Sequence, residues 1–350
     1  MEKAPGGSQW ERALEVFEEM ERIGVEPSTV TFNALISAME KAPGGSKWER
    51  ALKVFEDMKR RGVEPDTKAF NALISAMEKA PGGSQWERAL QVFREMERRG
   101  VEPDLVCFSA LISAMEKAPG GSKWERALKV FGEMERRGVE PDLVCFSALI
   151  SAMEKAPGGS KWERALKVFG EMERIGVEPD VFCFSALISA MGKAPGGSQW
   201  ERALKVFGEM KRRGVEPDLC CFNALISAME KAPGGSQWER ALEVFEEMER
   251  RGVKPNVVCF SALISAMEKA PGGSQRERAL EVFGEMKRIG VEPSTVTFNA
   301  LISAMEKAPG GSQWEKALEA FEDMKRRGVE PHKATFNALI RALQKAPESG

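Results

Sequence analysis

The sequence predicts an all-α fold, an α-solenoid of helix-turn-helix repeats, and three observations predict it. Trp10, Trp48, Trp86, Trp124, Trp162, Trp200, Trp238 and Trp314 recur every 38 residues, with Arg276 standing in the one gap. The element FNAL or FSAL keeps the same period from Asn33 to Asn337. Within each period, two apolar patterns of helical spacing are separated by Pro-Gly-Gly. A fixed short period marks units that stack their hydrophobic faces into one continuous core, which overrides the two or three domains that 350 residues would otherwise suggest.

One unit shows how each element arises. In the unit from Thr29 to Asp66, Pro27-Ser28 followed by an apolar run reads as a turn and helix N-cap. Phe32, Leu35, Ile36 and Met39 fall at i, i+3, i+4 and i+7, one buried stripe of a first helix from Thr29 to Lys41. Val30, Asn33, Ser37, Glu40 and Lys41 share the opposite face. Ala42-Pro43-Gly44-Gly45 then breaks the chain. Ser46, with Glu49 three residues later, predicts a capping box at the start of a second helix, and every unit keeps this pair, including Ser274 and Glu277. Trp48, Ala51, Leu52, Phe55 and Met58 give the second apolar stripe. Arg60-Arg61-Gly62 ends it, with cations at the negative end of the dipole and glycine as a left-handed cap.

The expected organisation is a single array over residues 1–350. Residues 1–28 supply a partial unit with the second helix only, 29–332 eight complete units, and 333–350 a final first helix and tail. The net charge of −2 does not advertise a nucleic-acid binder in bulk, although a local stripe still can. No apolar run reaches membrane-spanning length and no signal peptide is read, so no membrane partner is expected. Six cysteines without a C-x-x-C pair signal no metal site. With one histidine, no tyrosine and no phosphate-cradling G-K-[ST], neither catalysis, nor a cofactor, nor a small-molecule substrate is expected.

V-T-F-N-A-L-I-S-A, then W-E-R-A-L-x-V-F-x-x-M, then G-V-E-P-D resemble the pentatricopeptide repeat family in every unit and over essentially the whole chain. The family's unit is three residues shorter than the 38 here, and the extra residues sit in the Pro-Gly-Gly loop. Tetratricopeptide repeats, about 34 residues long with a different pattern, fit less well. The resemblance implies a right-handed superhelix that binds single-stranded RNA, one nucleotide per unit, along the first helices. It also implies that the fifth and last residues of a unit together choose the base, the second residue wedges between bases, and a lysine late in the first helix approaches phosphate. A monomer in a reducing compartment, an organelle such as a mitochondrion or chloroplast, fits both the resemblance and the unpaired thiols.

Carried over residue by residue, Asn33/Asp66 and Asn71/Asp104 read U. Ser109/Asp142, Ser147/Asp180 and Ser185/Asp218 read G, and Asn223/Asn256 reads C. Ser261/Ser294 and Asn299/His332 are assigned a purine and a pyrimidine. The implied target is 5′-UUGGGC-(purine)-(pyrimidine)-3′. The wedging residues are Val30, Lys68, Val106, Val144, Phe182, Cys220, Val258 and Val296. The phosphate lysines are Lys41, Lys79, Lys117, Lys155, Lys193, Lys231, Lys269 and Lys307. Eight phosphate contacts would give a salt slope near −6, from about −0.7 per contact on single strands, tempered by the neighbouring glutamates.

Each feature also has a plainer reading. Ser, Asp and Asn at the end of a unit are the best N-caps for the next helix. Lysine at a helix C-terminus complements the dipole. Valine suits helix packing, and the tryptophans lie in the core stripe. Cysteine accompanies serine two residues on, as in Cys107/Ser109, so block duplication of two unit types competes with selection for bases. A protein- or peptide-binding solenoid and an engineered repeat scaffold are the alternatives. Gly132, Gly170, Gly208 and Gly284 in the second helices argue against idealised design, each costing up to about 1 kcal/mol.

Overall fold

The computed structural model describes residues 9–43, 45–157, 159–194, 199–233, 235–270, 275–307 and 313–345. Among these residues every regular element is an α-helix, eighteen in all, and the chain divides into two compact units, residues 1–179 and 180–350. The first contains α1 (Gln9–Arg22) and the helix pairs α2 (Thr29–Glu40) with α3 (Trp48–Arg60), α4 (Thr67–Glu78) with α5 (Trp86–Arg98), α6 (Leu105–Glu116) with α7 (Trp124–Arg136), and α8 (Leu143–Glu154) with α9 (Trp162–Arg174). The second contains α10 (Val181–Gly192) with α11 (Trp200–Arg212), α12 (Leu219–Glu230) with α13 (Trp238–Arg250), α14 (Val257–Glu268) with α15 (Arg276–Arg288), α16 (Thr295–Glu306) with α17 (Trp314–Arg326), and α18 (Lys333–Gln344).

In each unit the first helix of a pair packs on its own second helix and on the first helix of the next pair, as α4 does on α5 and α6. The second helix packs on the following first helix, as α3 does on α4. This α-solenoid packing explains why the first helices are apolar nearly all round. In α4, Ala69, Phe70, Leu73, Ile74, Ala76 and Met77 are all fully buried. The second helices bury one stripe, which in α3 is Ala51, Phe55 and Met58. Aromatic edges lock consecutive pairs. Phe55 meets Phe70 with ring centroids 5.1 Å apart and planes at 66°, and Phe245 meets Phe260 at 5.1 Å and 62°. Such a pair contributes about 0.5–1.5 kcal/mol beyond its buried area.

The turn chemistry agrees with the sequence at one end of the second helix and departs from it at the other. Gly62 adopts φ +73°, its N–H donates to Lys59 O and that of Val63 to Met58 O, the two bonds of a Schellman cap. The expected capping box at Ser46 does not form. The helix starts at Trp48 with Lys47 as N-cap, and Ser46 lies one residue too early. Its hydroxyl instead donates to the carbonyl of Ala76 in the next first helix, and Ser46 is buried. Ser84, Ser122 and Ser236 repeat this contact with Ala114, Ala152 and Ala266. The last carbonyls of a helix have no partner inside it, so the serine of one unit satisfies an orphan acceptor of the next. The equivalent Ser274 lies outside the described residues, as does Gly44 of the first loop. In the lengthened loop, the left-handed Gly83 (φ +118°) leaves room for Pro119 of the next loop, 3.6 Å from where a Cβ would sit.

The tryptophans stay with the scaffold. Trp10 and Trp86 are buried and Trp48 half-buried, and an arginine of the next unit covers each. Arg50 lies 4.6 Å from the Trp10 ring centroid, Arg88 4.9 Å from that of Trp48, and Arg126 4.9 Å from that of Trp86.

Candidate nucleic-acid interface

The face of the first helices away from the second helices carries the residues that the sequence singles out. The second residue of each first helix points outward, and the buried face begins at the third or fourth residue. Val30 is 76 % exposed, Phe182 70 % and Val296 58 %, and Val106, Val144 and Val258 are also exposed. Lys68 and Cys220 are exposed as well. Helix packing therefore does not account for these apolar side chains. A depression of about 470 Å³ brings Val30, Asn33, Lys68, Asn71 and Val106 together, with Glu40 at its edge.

In five of the eight complete units the fifth residue meets the last residue of the same unit, 33 positions on, because neighbouring first helices lie side by side. Asn33 Nδ2 donates to both carboxylate oxygens of Asp66 at 3.0 Å, and Asn71 does the same to Asp104. Ser185 Oγ donates to Asp218 Oδ1 at 3.1 Å, Ser261 lies 3.5 Å from Ser294, and Asn299 Nδ2 lies 3.0 Å from His332 Nε2. Ser109 and Ser147 turn back instead, donating to Val106 O and Val144 O of their own helices at 3.2 Å. Asn223 Oδ1 accepts from Cys259 Sγ at 2.8 Å, while Asn256 caps its own helix.

The last residues are caps as well. Asp66 Oδ1 accepts from Ala69 N, Asp142 from Cys145 N and Asp218 from Cys221 N at 2.9–3.0 Å. Asp104 and Asp180 do the same for Cys107 and Cys183. Cap and partner are thus one side chain in two roles: an ionised carboxylate has lone pairs enough for a helix N–H and a neighbour's amide. On the other side, the buried Oδ1 atoms of Asn33 and Asn71 have no hydrogen-bond partner. A buried acceptor without a donor is costly, about 1–3 kcal/mol.

The lysine row is built differently. Lys79 Nζ binds Glu40 of the preceding unit at 2.6 Å, Lys155 binds Glu116 and Lys345 binds Glu306 at the same distance. Lys117, Lys269 and Lys307 are clasped likewise by Glu78, Glu230 and Glu268. The acids are nearly buried and the lysines about half exposed, 52 % for Lys79 against 12 % for Glu40. At Lys231 the corresponding position, 192, is glycine. The glutamate one residue before the lysine in sequence is therefore the acid that holds the next unit's lysine.

The residues that sequence reasoning missed lie one turn below the pairs. The third residue of the next first helix, 36 positions after the fifth residue, sits under it: Cys221 under Ser185, Cys259 under Asn223, Thr297 under Ser261 and Thr335 under Asn299. The recurrence of Cys or Thr at that place was the available signal. Burial pushes the thiols of Cys145, Cys183 and Cys221 up to about 12, and raises those of Cys107 and Cys259 as well. They are therefore neutral, weak donors. No group of three or more metal-ligating side chains occurs among the described residues, and no described helix is long and apolar enough to cross a membrane.

Comparison with known proteins agrees with this geometry. The model of the pentatricopeptide repeat domain matches residues 8–41, 91–156 and 129–194, that of the PPR repeat family residues 45–79, and that of the pentacotripeptide-repeat region of PRORP residues 198–349. Among solved structures, the pentatricopeptide repeat protein PPR10 from maize is 25 % identical with a TM-score of 0.50, covering 96 % of this chain and 50 % of that one. The chain thus spans about half the length of that protein. The same maize protein in complex with an 18-nt psaJ RNA element matches at 25 % identity and a TM-score of 0.43, over 96 % and 49 % of the two chains. No curated protein matches the chain. With repeat models of one family matched from residue 8 to residue 349 and the helical pairs spaced as their sequence requires, the chain belongs to the pentatricopeptide repeat family.

Proposed function

We propose that the chain binds single-stranded RNA along its first helices, one nucleotide per unit, choosing bases through the fifth and last residues. The observation that carries the reading is the joined polar pair, as in Asn33/Asp66 and Asn71/Asp104, flanked by outward-facing Val30, Lys68 and Val106 in one depression. An amide and a carboxylate present donor and acceptor side by side, which is what the Watson–Crick edge of an unpaired base requires. Exposed apolar side chains between consecutive pairs supply surfaces against which base faces pack. Phe182 is the strongest of these, since stacking on an aromatic ring contributes about 1–3 kcal/mol per base.

The proposed target is 5′-UUGGGC-(purine)-(pyrimidine)-3′, read from Asn33/Asp66 to Asn299/His332. Its phosphates would meet five lysines that already hold glutamates, Lys79, Lys117, Lys155, Lys269 and Lys307, so contact there exchanges one ion pair for another. The salt slope then falls short of the −6 that eight unpaired lysines would give at about −0.7 each. Lys231, opposite Gly192, contributes without that competition. This favours base reading over bulk charge as the source of selectivity. That the maize protein PPR10 forms a complex with RNA is a property of that protein. For this chain the test is titration of labelled UUGGGC-containing RNA against a scrambled sequence. Tighter binding of the target supports the reading, and equal binding refutes it.

A further inference from the structure

The fifth residue of a unit has two neighbours, and the proposed reading uses only one. Beneath it lies the third residue of the next first helix. Where that residue is threonine, its hydroxyl is oriented by the backbone. Thr335 Oγ1 accepts from His332 N at 3.1 Å, so its own hydrogen points at Asn299 Oδ1, 2.6 Å away. Thr297 Oγ1 likewise accepts from Ser294 N at 3.0 Å and lies 2.7 Å from Ser261 Oγ. Both threonines are fully buried, with no water to bond instead.

A donor from below takes one of the two lone pairs on the oxygen of the fifth residue. Asn299 then turns its NH₂ toward its partner His332, whereas between Thr297 and Ser261 either hydroxyl can be the donor. Cys259, a weaker donor, reaches Asn223 Oδ1 from below at 2.8 Å. Under Asn33 the residue is Ala69, which has nothing to donate, and Asn33 Oδ1 is buried without a partner. The Asn33 amide is oriented by the Asp66 carboxylate, which accepts from its nitrogen, so only the oxygen is left unsatisfied.

We propose that a threonine at the third place of a unit is a positioning residue that fixes which hydrogen-bonding group the fifth residue of the preceding unit presents to the base. Threonine holds that residue's oxygen from below, whereas alanine under Asn33 leaves an amide already oriented by Asp66 with its oxygen unsatisfied. This rests on the binding reading above.

The test uses the full chain with three variants, A69T, A69V and T335V. Valine has the shape of threonine without the hydroxyl, and threonine already occupies this place at Thr297 and Thr335, so all three are expected to fold. RNAs carrying each of the four bases at the first or at the last target position are titrated. A69T is expected to shift discrimination at the first position by roughly three- to tenfold, the worth of one net hydrogen bond, because it engages the Asn33 oxygen. A69V is expected to match wild type, and T335V to blunt discrimination at the last position by a similar factor. Without RNA, A69T should melt at a higher temperature than A69V, because only it gives Asn33 Oδ1 a donor. A selective wild type with A69T and A69V alike in selectivity and melting overturns this inference alone. A wild type that does not tell target from scrambled RNA overturns the binding reading, and this inference with it.

Discussion

Two polar rows run along the same first helices and use their side chains in opposite ways. The lysine row is constant in sequence and largely closed on itself: Lys79, Lys117, Lys155, Lys269, Lys307 and Lys345 each hold the glutamate of the preceding unit. The fifth/last row varies in sequence and is open. Its members hydrogen-bond to one another, yet Asn33 and Asn71 keep a buried oxygen without a donor, and Ser109 and Ser147 turn to their own helices. A row that is constant and satisfied serves chiefly to hold units together. A row that varies and keeps hydrogen-bonding capacity in reserve is, on the proposed reading, where the ligand binds.

The comparison can be attacked first through the thiols, where the largest contrast is expected. Cys220 stands outward in the exposed second-position row, whereas the other five cysteines are buried. Burial raises the pKa of Cys145, Cys183 and Cys221 to about 12, so at pH 8 they remain protonated, and they reach the reactive thiolate only as pH approaches 12. Alkylation followed by peptide mass spectrometry should label Cys220 well before those three, although partial burial raises its own thiol as well. Bound RNA should slow Cys220 alone. Uniform labelling would mean that the two layers are not distinct.

Opening the lysine row is the next test. The triple variant E78Q, E116Q, E268Q frees Lys117, Lys155 and Lys307 from their acids. The slope of log K against log salt should steepen by about 2, from about −0.7 per freed lysine, or an extra ~15-fold loss between 50 and 200 mM salt. An unchanged slope would show that these lysines do not meet phosphate even when free. Within the variable row, Asp142→Asn should move the preference opposite Ser109 from G toward A by about 1 kcal/mol, measured with paired RNAs. If Asp142 serves only as the cap for Cys145, preference stays put, because asparagine caps as well as aspartate.

The smallest effect is a control that touches neither row. A Cβ added at Gly132 meets nothing within 4 Å, so Gly132→Ala should raise stability by about 0.5–1 kcal/mol in denaturant melts while RNA binding is unchanged. Gly192→Ala should give no such gain, since its Cβ would lie 3.1 Å from Ala224 O and 3.3 Å from Ala228 Cβ.

What was legible in the sequence follows from what repeats. Both helices of a unit, the buried stripe from Phe32 to Met39 and the Gly62 cap declare themselves within one unit, because helical periodicity and left-handed glycine are local properties. The contacts that were misread or missed join neighbouring units. Ser46 looks like an N-cap three residues before Glu49, yet the helix begins at Trp48 and the serine reaches Ala76, 30 positions away. Lys79 looks like a free cation beside Glu78, yet it holds Glu40, while Glu78 holds Lys117. Thr335 under Asn299 was visible only as an entry in a Cys/Thr/Ala column. Spacing within a unit specifies the helices, but which side chains meet between units depends on how the first helices lie against each other.

The central claim is that the variable row, and not the lysine row, chooses the ligand. Titration of labelled single-stranded RNA containing UUGGGC, its scrambled version and the corresponding DNA at two salt concentrations tests it most directly. The account predicts that the target binds at least about tenfold, ~1.4 kcal/mol, tighter than the scrambled RNA, with a ratio that persists as salt rises. Equal binding of target and scrambled RNA, weakening together with salt, would contradict it.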